Sequence, residues 1–316
     1  MKNLALLISP RAKGAYFNET IEVATAELTY QLAPEQNIEH RQIGALDFLL
    51  ISADEQQLNC LTRLSFVYGI FEVDGAQMTP LAVKHNVPLH EDFVFGAKFK
   101  GKTNELITQL LINIGLNSID STKHSDLKLL DPMCGRATTL IWAMQYGIAS
   151  KGIEHDAKAL PDIRQNLKKW CKVHRQKHQM KDGFVGGKAT KGNTGKFLDF
   201  AAGDTSMRVI TGDSSNACKL LNNEKFNLIV SDLPYGVQHF TTNQTRNPIQ
   251  VLKDCAADWK ASLKPGGVMV LAFNRNIPKR KALLEVFTDQ GMQDLGFTAP
   301  HRMSESIVRD IVVLKR

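Results

Sequence analysis

At 316 residues the chain exceeds one typical domain and predicts two, and a hydrophobic share of 43% excludes a disordered protein. A formal net charge of +7 predicts an acidic partner: nucleic acid first, an anionic membrane second, with a plainly solvated basic surface as the alternative. Five scattered cysteines without a CxxC pair exclude a disulfide framework and suit a reducing cytosol.

In chain order, the apolar run from Leu4 to Ser9 is too short for a signal-peptide core and reads as a strand. No later stretch approaches the ~20 apolar residues of a membrane span, so a soluble, cytoplasmic protein is expected. Apolar Ile21, Ala24, Leu28 and Leu32 predict a helix over 18–32. Strands follow over 38–43 and 46–51, a helix over 54–64, a strand over 66–73 and a further one over 78–83. The order βαββαβ predicts a small α+β, ferredoxin-like domain over residues 1–92, RNA-binding or structural.

A second domain is expected over 93–316. Leu106, Leu110, Leu111 and Ile114 mark a helix opened by Thr103, as its N-cap or as a holder of a carboxylate. Leu127–Leu130 reads as a strand, Asp131-Pro132-Met133-Cys134-Gly135 as a turn and Thr138–Tyr146 as a helix. A glycine in such a turn lets a ligand approach the backbone. Lys151–Asp156 is a second strand ending in acids, about 20 residues on, where a ribose is gripped; Glu154 is preferred and Asp156 held in reserve.

Residues 168–200 break the pattern as a basic insertion. Nine lysines and arginines between Lys168 and Lys196 face one acid, Asp182, and glycines fill its second half. This is a phosphate-binding arm or a solvated loop. Cys171, His174 and His178 share a helical face there, but lysines surround them and no fourth ligand is evident; no metal is expected.

Val209–Ser214 is a third strand ending in Gly212-Asp213, whose acid suits an adenine amino group or a helix cap. Phe226–Gly236, FNLIVSDLPYG, then delivers Asp232-Leu233-Pro234-Tyr235 to a strand's carboxyl end, where Pro234 stops the ladder. Acid, proline and aromatic ring in this order suit the exocyclic amine of a nucleobase. The carboxylate and a backbone carbonyl accept its N–H groups, and Tyr235 offers a stacking face. A helix over 251–263, the turn Lys264-Pro265-Gly266-Gly267, a buried strand over 268–273 and a helix over 279–290 follow. The closing strand, 307–314, is charged only at Arg309 and Asp310.

The runs DPMCGRATT (131–139), GIEHD (152–156), TGDS (211–214), SDLPYG (231–236) and LKPGG (263–267) occur in the order found in class I S-adenosylmethionine-dependent methyltransferases. Within that class the chain resembles the RNA guanosine-N2 methyltransferases that usually carry a THUMP domain. The resemblance implies an α/β, Rossmann-like domain with a mostly parallel seven-stranded sheet. It also implies S-adenosyl-L-methionine as cofactor and structured RNA, tRNA or rRNA, as partner, with no membrane. Asp131, Met133, Cys134 and Gly135 would surround the cofactor's methionine part, Glu154 its ribose and Asp213 its adenine. Thr103, Thr138, His155 and Ser214 complete the cofactor set, and Asp232, Leu233, Pro234 and Tyr235 form the catalytic tetrad. Ala137 stands where the family prefers glycine and Arg136 where it has a small residue. Residues 1–92 are too short for both a ferredoxin-like and a THUMP domain, and the former is the one read here. A small activating protein, as some relatives use, would leave no mark in these residues. The competing functions are adenine-N6 or cytosine-N4 methylation, and a non-catalytic RNA-binding protein on the same scaffold.

Overall fold

The computed structural model describes every residue except 33–36, 83–86, 98, 100–102, 121–122, 188–193, 235–246 and 305–306. The first strand, β1 (Lys2–Ile8), leads into helix α1 (Pro10–Tyr16), which the sequence reading missed. Its N-cap Ser9 accepts the Arg11 N–H, and Pro10 occupies the first turn, where no N–H is needed. Helix α2 (Thr20–Leu32), β2 (Glu39–Ile43), β3 (Leu46–Ala53), α3 (Leu58–Leu61), β4 (Val67–Asp74) and β5 (Gln77–Pro80) follow. The strands pair antiparallel in the order β2-β3-β1-β4-β5. This is the ferredoxin-like order with β5 added at one edge. The helix expected over 54–64 shrinks to α3, preceded by a turn in which Asp54 and Gln57 trade side chain–backbone hydrogen bonds of 2.9 and 3.0 Å.

Two helices, α4 (Asp92–Phe95) and α5 (Glu105–Asn117), lead to the large sheet. The cap of α5 is Asn104, not Thr103: its side chain accepts the N–H groups of Leu106 and Ile107. Then come β6 (Lys128–Asp131), α6 (Thr138–Gln145), β7 (Ala149–Glu154), α7 (Ala159–Val173), β8 (Gln179–Phe184), β9 (Lys196–Ala202) and β10 (Thr205–Thr211). The chain continues through α8 (Ala217–Leu220), β11 (Phe226–Asp232), α9 (Pro248–Ser262), β12 (Leu263–Asn274) and α10 (Arg280–Thr288). It closes with β13 (Gln293–Asp294), β14 (His301–Ser304) and β15 (Ile307–Lys315).

The sheet runs β13-β15-β12-β11-β6-β7-β10-β9-β8, with β14 on β15, and is parallel from β12 to β10. It is a Rossmann-like methyltransferase fold with ten described strands where seven were expected. Two of the three extra strands come from the basic insertion. Much of the basic insertion is not a loop: β8 and β9 pair antiparallel and extend the β10 edge, with Leu198, Phe200 and Ala202 buried in alternation. The insertion's tip, 188–193, lies outside the described residues.

Strand order reverses between β6 and β11, the place where such sheets open a crevice at their carboxyl edge. Apolar side chains fill both faces. Leu129, Leu228, Val230 and Val270 join a core with α5, α6 and the ferredoxin-like unit. Ile229, Met269, Leu271 and Phe273 join one with α9 and α10. Gly115 lets α5 lie close to β11 and β12, since a Cβ there would meet Leu228 at 3.1 Å and Val270 at 3.3 Å. Among the described residues no helix is long and apolar enough to cross a membrane.

Candidate active site

The β6–α6 turn forms one wall of the crevice. Asp131, at the end of β6, accepts the Met133 N–H at 3.1 Å and, across the switch point, the Ser231 hydroxyl at 2.7 Å. Burial raises its pKa to about 6 against the opposing hydrogen bonds of Thr139, Ser231 and Met133. Cys134 donates its N–H to the Ile153 carbonyl at 3.0 Å, lashing the turn to β7. Its side chain faces inward: a Cβ on Gly152 would lie 2.6 Å from the sulfur. Burial pushes that thiol well above its ordinary range, so only the backbone of Cys134 is offered to a ligand.

Gly135 has φ 52° and nothing within 4 Å of the place a Cβ would take, so the backbone lies open on that side. Its N–H donates to Glu154 Oε2 at 2.8 Å, and the Asp156 N–H to Glu154 Oε1 at 2.8 Å. Ala137 adopts φ 66°, the left-handed conformation for which a glycine is the unstrained choice. Arg136 turns away from the turn and pairs with Asp162 at 2.8 Å and Asp156 at 3.0 Å, tying it to α7. Asp156 is thus engaged by Arg136, whereas Glu154 faces the turn. His155 is exposed, Thr138 buried at the start of α6 and Met133 half-buried.

At the end of β10, Asp213 caps the short turn over 214–216, accepting the Ser215 N–H at 2.9 Å and its hydroxyl at 2.8 Å. Ser214 is committed to the core, where its hydroxyl accepts the Trp259 indole N–H at 2.9 Å. Thr103 is half-buried one residue before the α5 cap.

Asp232 ends β11 beside the switch point, and Leu233 continues the ladder by donating its N–H to Ala272 at 2.9 Å. Pro234 is half-buried after it, and Tyr235 lies outside the described residues. Sequence reading missed Arg309. From β15 it reaches across β12, and its Nη2 lies 3.1 Å from Asp232 Oδ2 with side-chain exposures of 3% and 5%. The signal was there: a charge inside an apolar strand is rarely buried without a partner. Neighbouring Asp310 is structural, accepting from Arg280, Thr298 and the N–H groups of Ala299 and Ile311.

The Cys171, His174 and His178 trio does not converge among the described residues. Cys171 is in the core and His174 pairs with Asp92 at 2.8 Å. S-adenosylmethionine fits the donor set. Glu154 is oriented by two N–H groups and retains carboxylate lone pairs for two ribose hydroxyls, and the open backbone at Gly135 leaves room for the amino-acid end.

The family model described as UPF0020, RMKL-like methyltransferase domain, matches residues 120–294. No curated protein sequence matches the chain. Among solved structures it is similar to TrmN from Thermus thermophilus, at 14% identity and TM-score 0.48, over 90% of this chain and 61% of that one. The chain therefore spans less than two thirds of that TrmN chain. It is also similar to the rRNA methyltransferase aviRa from Streptomyces viridochromogenes (13% identity, TM-score 0.45, 74% of this chain and 94% of that one). A third is the putative RNA methyltransferase PH1948 from Pyrococcus horikoshii (16%, 0.40, 68% and 86%).

Proposed function

The chain belongs to the UPF0020 family of RMKL-like methyltransferase domains, and from that premise we propose that it methylates the exocyclic N2 amine of a guanosine in structured RNA, tRNA or rRNA. It is an S-adenosylmethionine-dependent methyltransferase; that cofactor supplies the methyl group as an electrophilic carbon on a sulfonium.

The observation that carries the reading is Asp232-Leu233-Pro234 at the carboxyl end of β11, beside the crevice where strand order reverses. An aromatic amine is a poor nucleophile because its lone pair is delocalised into the ring. Asp232 and a backbone carbonyl at Leu233 or Pro234 accept the amine's two N–H bonds, favour a more tetrahedral nitrogen and aim its lone pair. An Arg309 N–H donates to one oxygen of this carboxylate, and the charge-assisted bond orients Asp232 at the strand end. The base must be everted to reach this edge. The nitrogen loses its proton after the methyl group has arrived, so no base with a specially tuned pKa is needed. Exposed Lys168 and Lys172 on α7, Lys177 in the connection after it and Lys181 on β8 supply phosphate contacts.

The test is mass spectrometry of nucleosides from tRNA and rRNA of cells with and without the protein, paired with Asp232→Ala in vitro. Loss of N2-methylguanosine and an inactive variant that still binds S-adenosylmethionine are expected. Loss of N6-methyladenosine or N4-methylcytidine instead would overturn the target. Wild-type turnover by Asp232→Ala would reduce the ion pair with Arg309 to a structural one.

A further inference from the structure

Resting on the RNA reading above, we propose that Phe17, in the ferredoxin-like unit, is a stacking platform for an unpaired base of the substrate RNA close to the everted one. Phe17 breaks two rules at once. Its backbone, φ 51° and ψ −129°, is that of the first central residue of a type II′ turn, where glycine is the unstrained choice. Its ring is 51% exposed. A large apolar side chain gains the fold little from an exposed and strained position, and strain of this kind collects at ligand contacts.

The neighbours over-determine that conformation. The Phe17 N–H donates to the Lys13 carbonyl, and the Thr20 hydroxyl donates to the Phe17 carbonyl at 2.6 Å. Glu19 accepts the Arg302 N–H at 3.2 Å. Tyr16 is buried, with its hydroxyl 2.6 Å from Ser65 Oγ and its ring edge-on to His301 at 5.5 Å. These contacts set the turn over 17–19 beside the crevice rim. His301 pairs with Arg309 and Arg309 with Asn274, two residues beyond the Ala272 that pairs with Asp232. Strands β14, β15, β12 and β11 succeed one another at ~4.8 Å, so β14, on which the turn packs, is about 14 Å from the strand that ends in Asp232. That is the span of a few nucleotides. The exposed groups of this rim suit RNA: Asn18 beside Phe17, Arg302 on β14 and Arg275 just past β12. A ring face accepts any base, and the guanidinium groups match phosphate.

The test is fluorescence anisotropy of the full chain with a labelled hairpin RNA that has an unpaired loop, and with the same hairpin carrying an abasic loop. Phe17→Leu should weaken binding of the looped hairpin about five- to a hundredfold, the worth of one base–aromatic stack, and leave the abasic hairpin unaffected. Phe17→Tyr should keep the affinity, and calorimetric binding of S-adenosylmethionine should be the same in all variants. Glycine relieves the backbone and alanine does not, so Phe17→Gly should have the higher urea midpoint of the two while both bind the loop equally poorly. Unchanged affinity of Phe17→Leu for the looped hairpin, or an equal loss on the abasic one, would overturn the platform. Binding is read without methyl transfer. A Phe17-dependent loop contact in a protein that forms no N2-methylguanosine therefore upholds this inference and sinks the target proposed above; N2-methylguanosine formed by a protein whose loop affinity ignores Phe17 does the reverse.

Discussion

Arg309 and Asp232 meet across an intervening strand, Nη2 to Oδ2 at 3.1 Å, with both side chains all but closed to water. Removing one member of such a pair leaves a buried charge uncompensated, which destabilises by about 3–5 kcal/mol. Arg309→Met should lower stability by that order in urea unfolding. It should also stop methyl transfer in single-turnover assays by releasing Asp232 from its orientation. Arg309→Lys keeps the charge but loses the planar fork, so it should restore much of the stability and only part of the rate. Equal losses of rate in the two variants would separate activity from the geometry of the pair.

Asp131 gives a second prediction. Its hydrogen bond from Ser231 joins β6 to β11 at the switch point, and bonds to a charged acceptor are worth about 1.5–3 kcal/mol. Because its folded pKa is raised to about 6, its protonated form contributes stability that is full in acid and lost as pH rises through that value. Only the ionised form accepts fully from Met133 and Ser231. Affinity for S-adenosylmethionine, followed by calorimetry, should therefore fall as pH drops through about 6. Ser231→Ala removes a donor that favours the ionised form, so the fall should begin at higher pH. A flat affinity profile in both proteins would detach Asp131 from the cofactor turn.

The strand-ending acids were legible because the signal is local: an apolar run that ends in an acid, as at Asp131, Glu154, Asp213 and Asp232. What escaped notice depends on residues far apart or on backbone geometry. Arg309 is 77 positions from Asp232, and a charge in an apolar strand does not disclose its partner. Thr103 and Asn104 are both capping residues; Asn104 is the cap because its backbone is extended and its side chain reaches two N–H groups. Strand β9 carried the period-2 alternation of Leu198, Phe200 and Ala202, but lysines and glycines before it drew attention to a loop. Ala137 adopts the glycine-like left-handed turn despite its methyl group, so the family's preference there reports a backbone shape.

The basic arm predicts a salt effect. Lys168, Lys172 and Lys177 are exposed. If each contacts a phosphate, replacing all three with alanine should lower the slope of log affinity against log salt by about 2–3, since each contact contributes about 0.7–0.9. RNA affinity measured at several salt concentrations reads this directly. The rate at saturating RNA should be unchanged, because none of the three is placed at the crevice. An unaltered slope would leave this face merely solvated.

Glu27 carries the last prediction, at the junction of the two units. It is buried on α2, where its carboxylate accepts the Ser65 N–H at 3.0 and 3.1 Å, the Ser65 hydroxyl at 2.6 Å and the Asn113 amide of α5 at 2.7 Å. Burial is the larger effect and raises its pKa to about 7 against those donors. For a group raised on folding, the native state binds the extra proton. Its contribution to stability is therefore complete below the unfolded value of 4.5 and lost as pH rises through about 7. The loss at full ionisation is on the order of 3 kcal/mol. Glu27→Gln cannot ionise, so its stability should exceed wild type above neutrality and the advantage should vanish in mild acid. Urea unfolding of both proteins across that range isolates this one group, since all others titrate alike in the two chains. Parallel stability curves would show that Glu27 remains ionised in the native protein throughout and that its donors outweigh its burial.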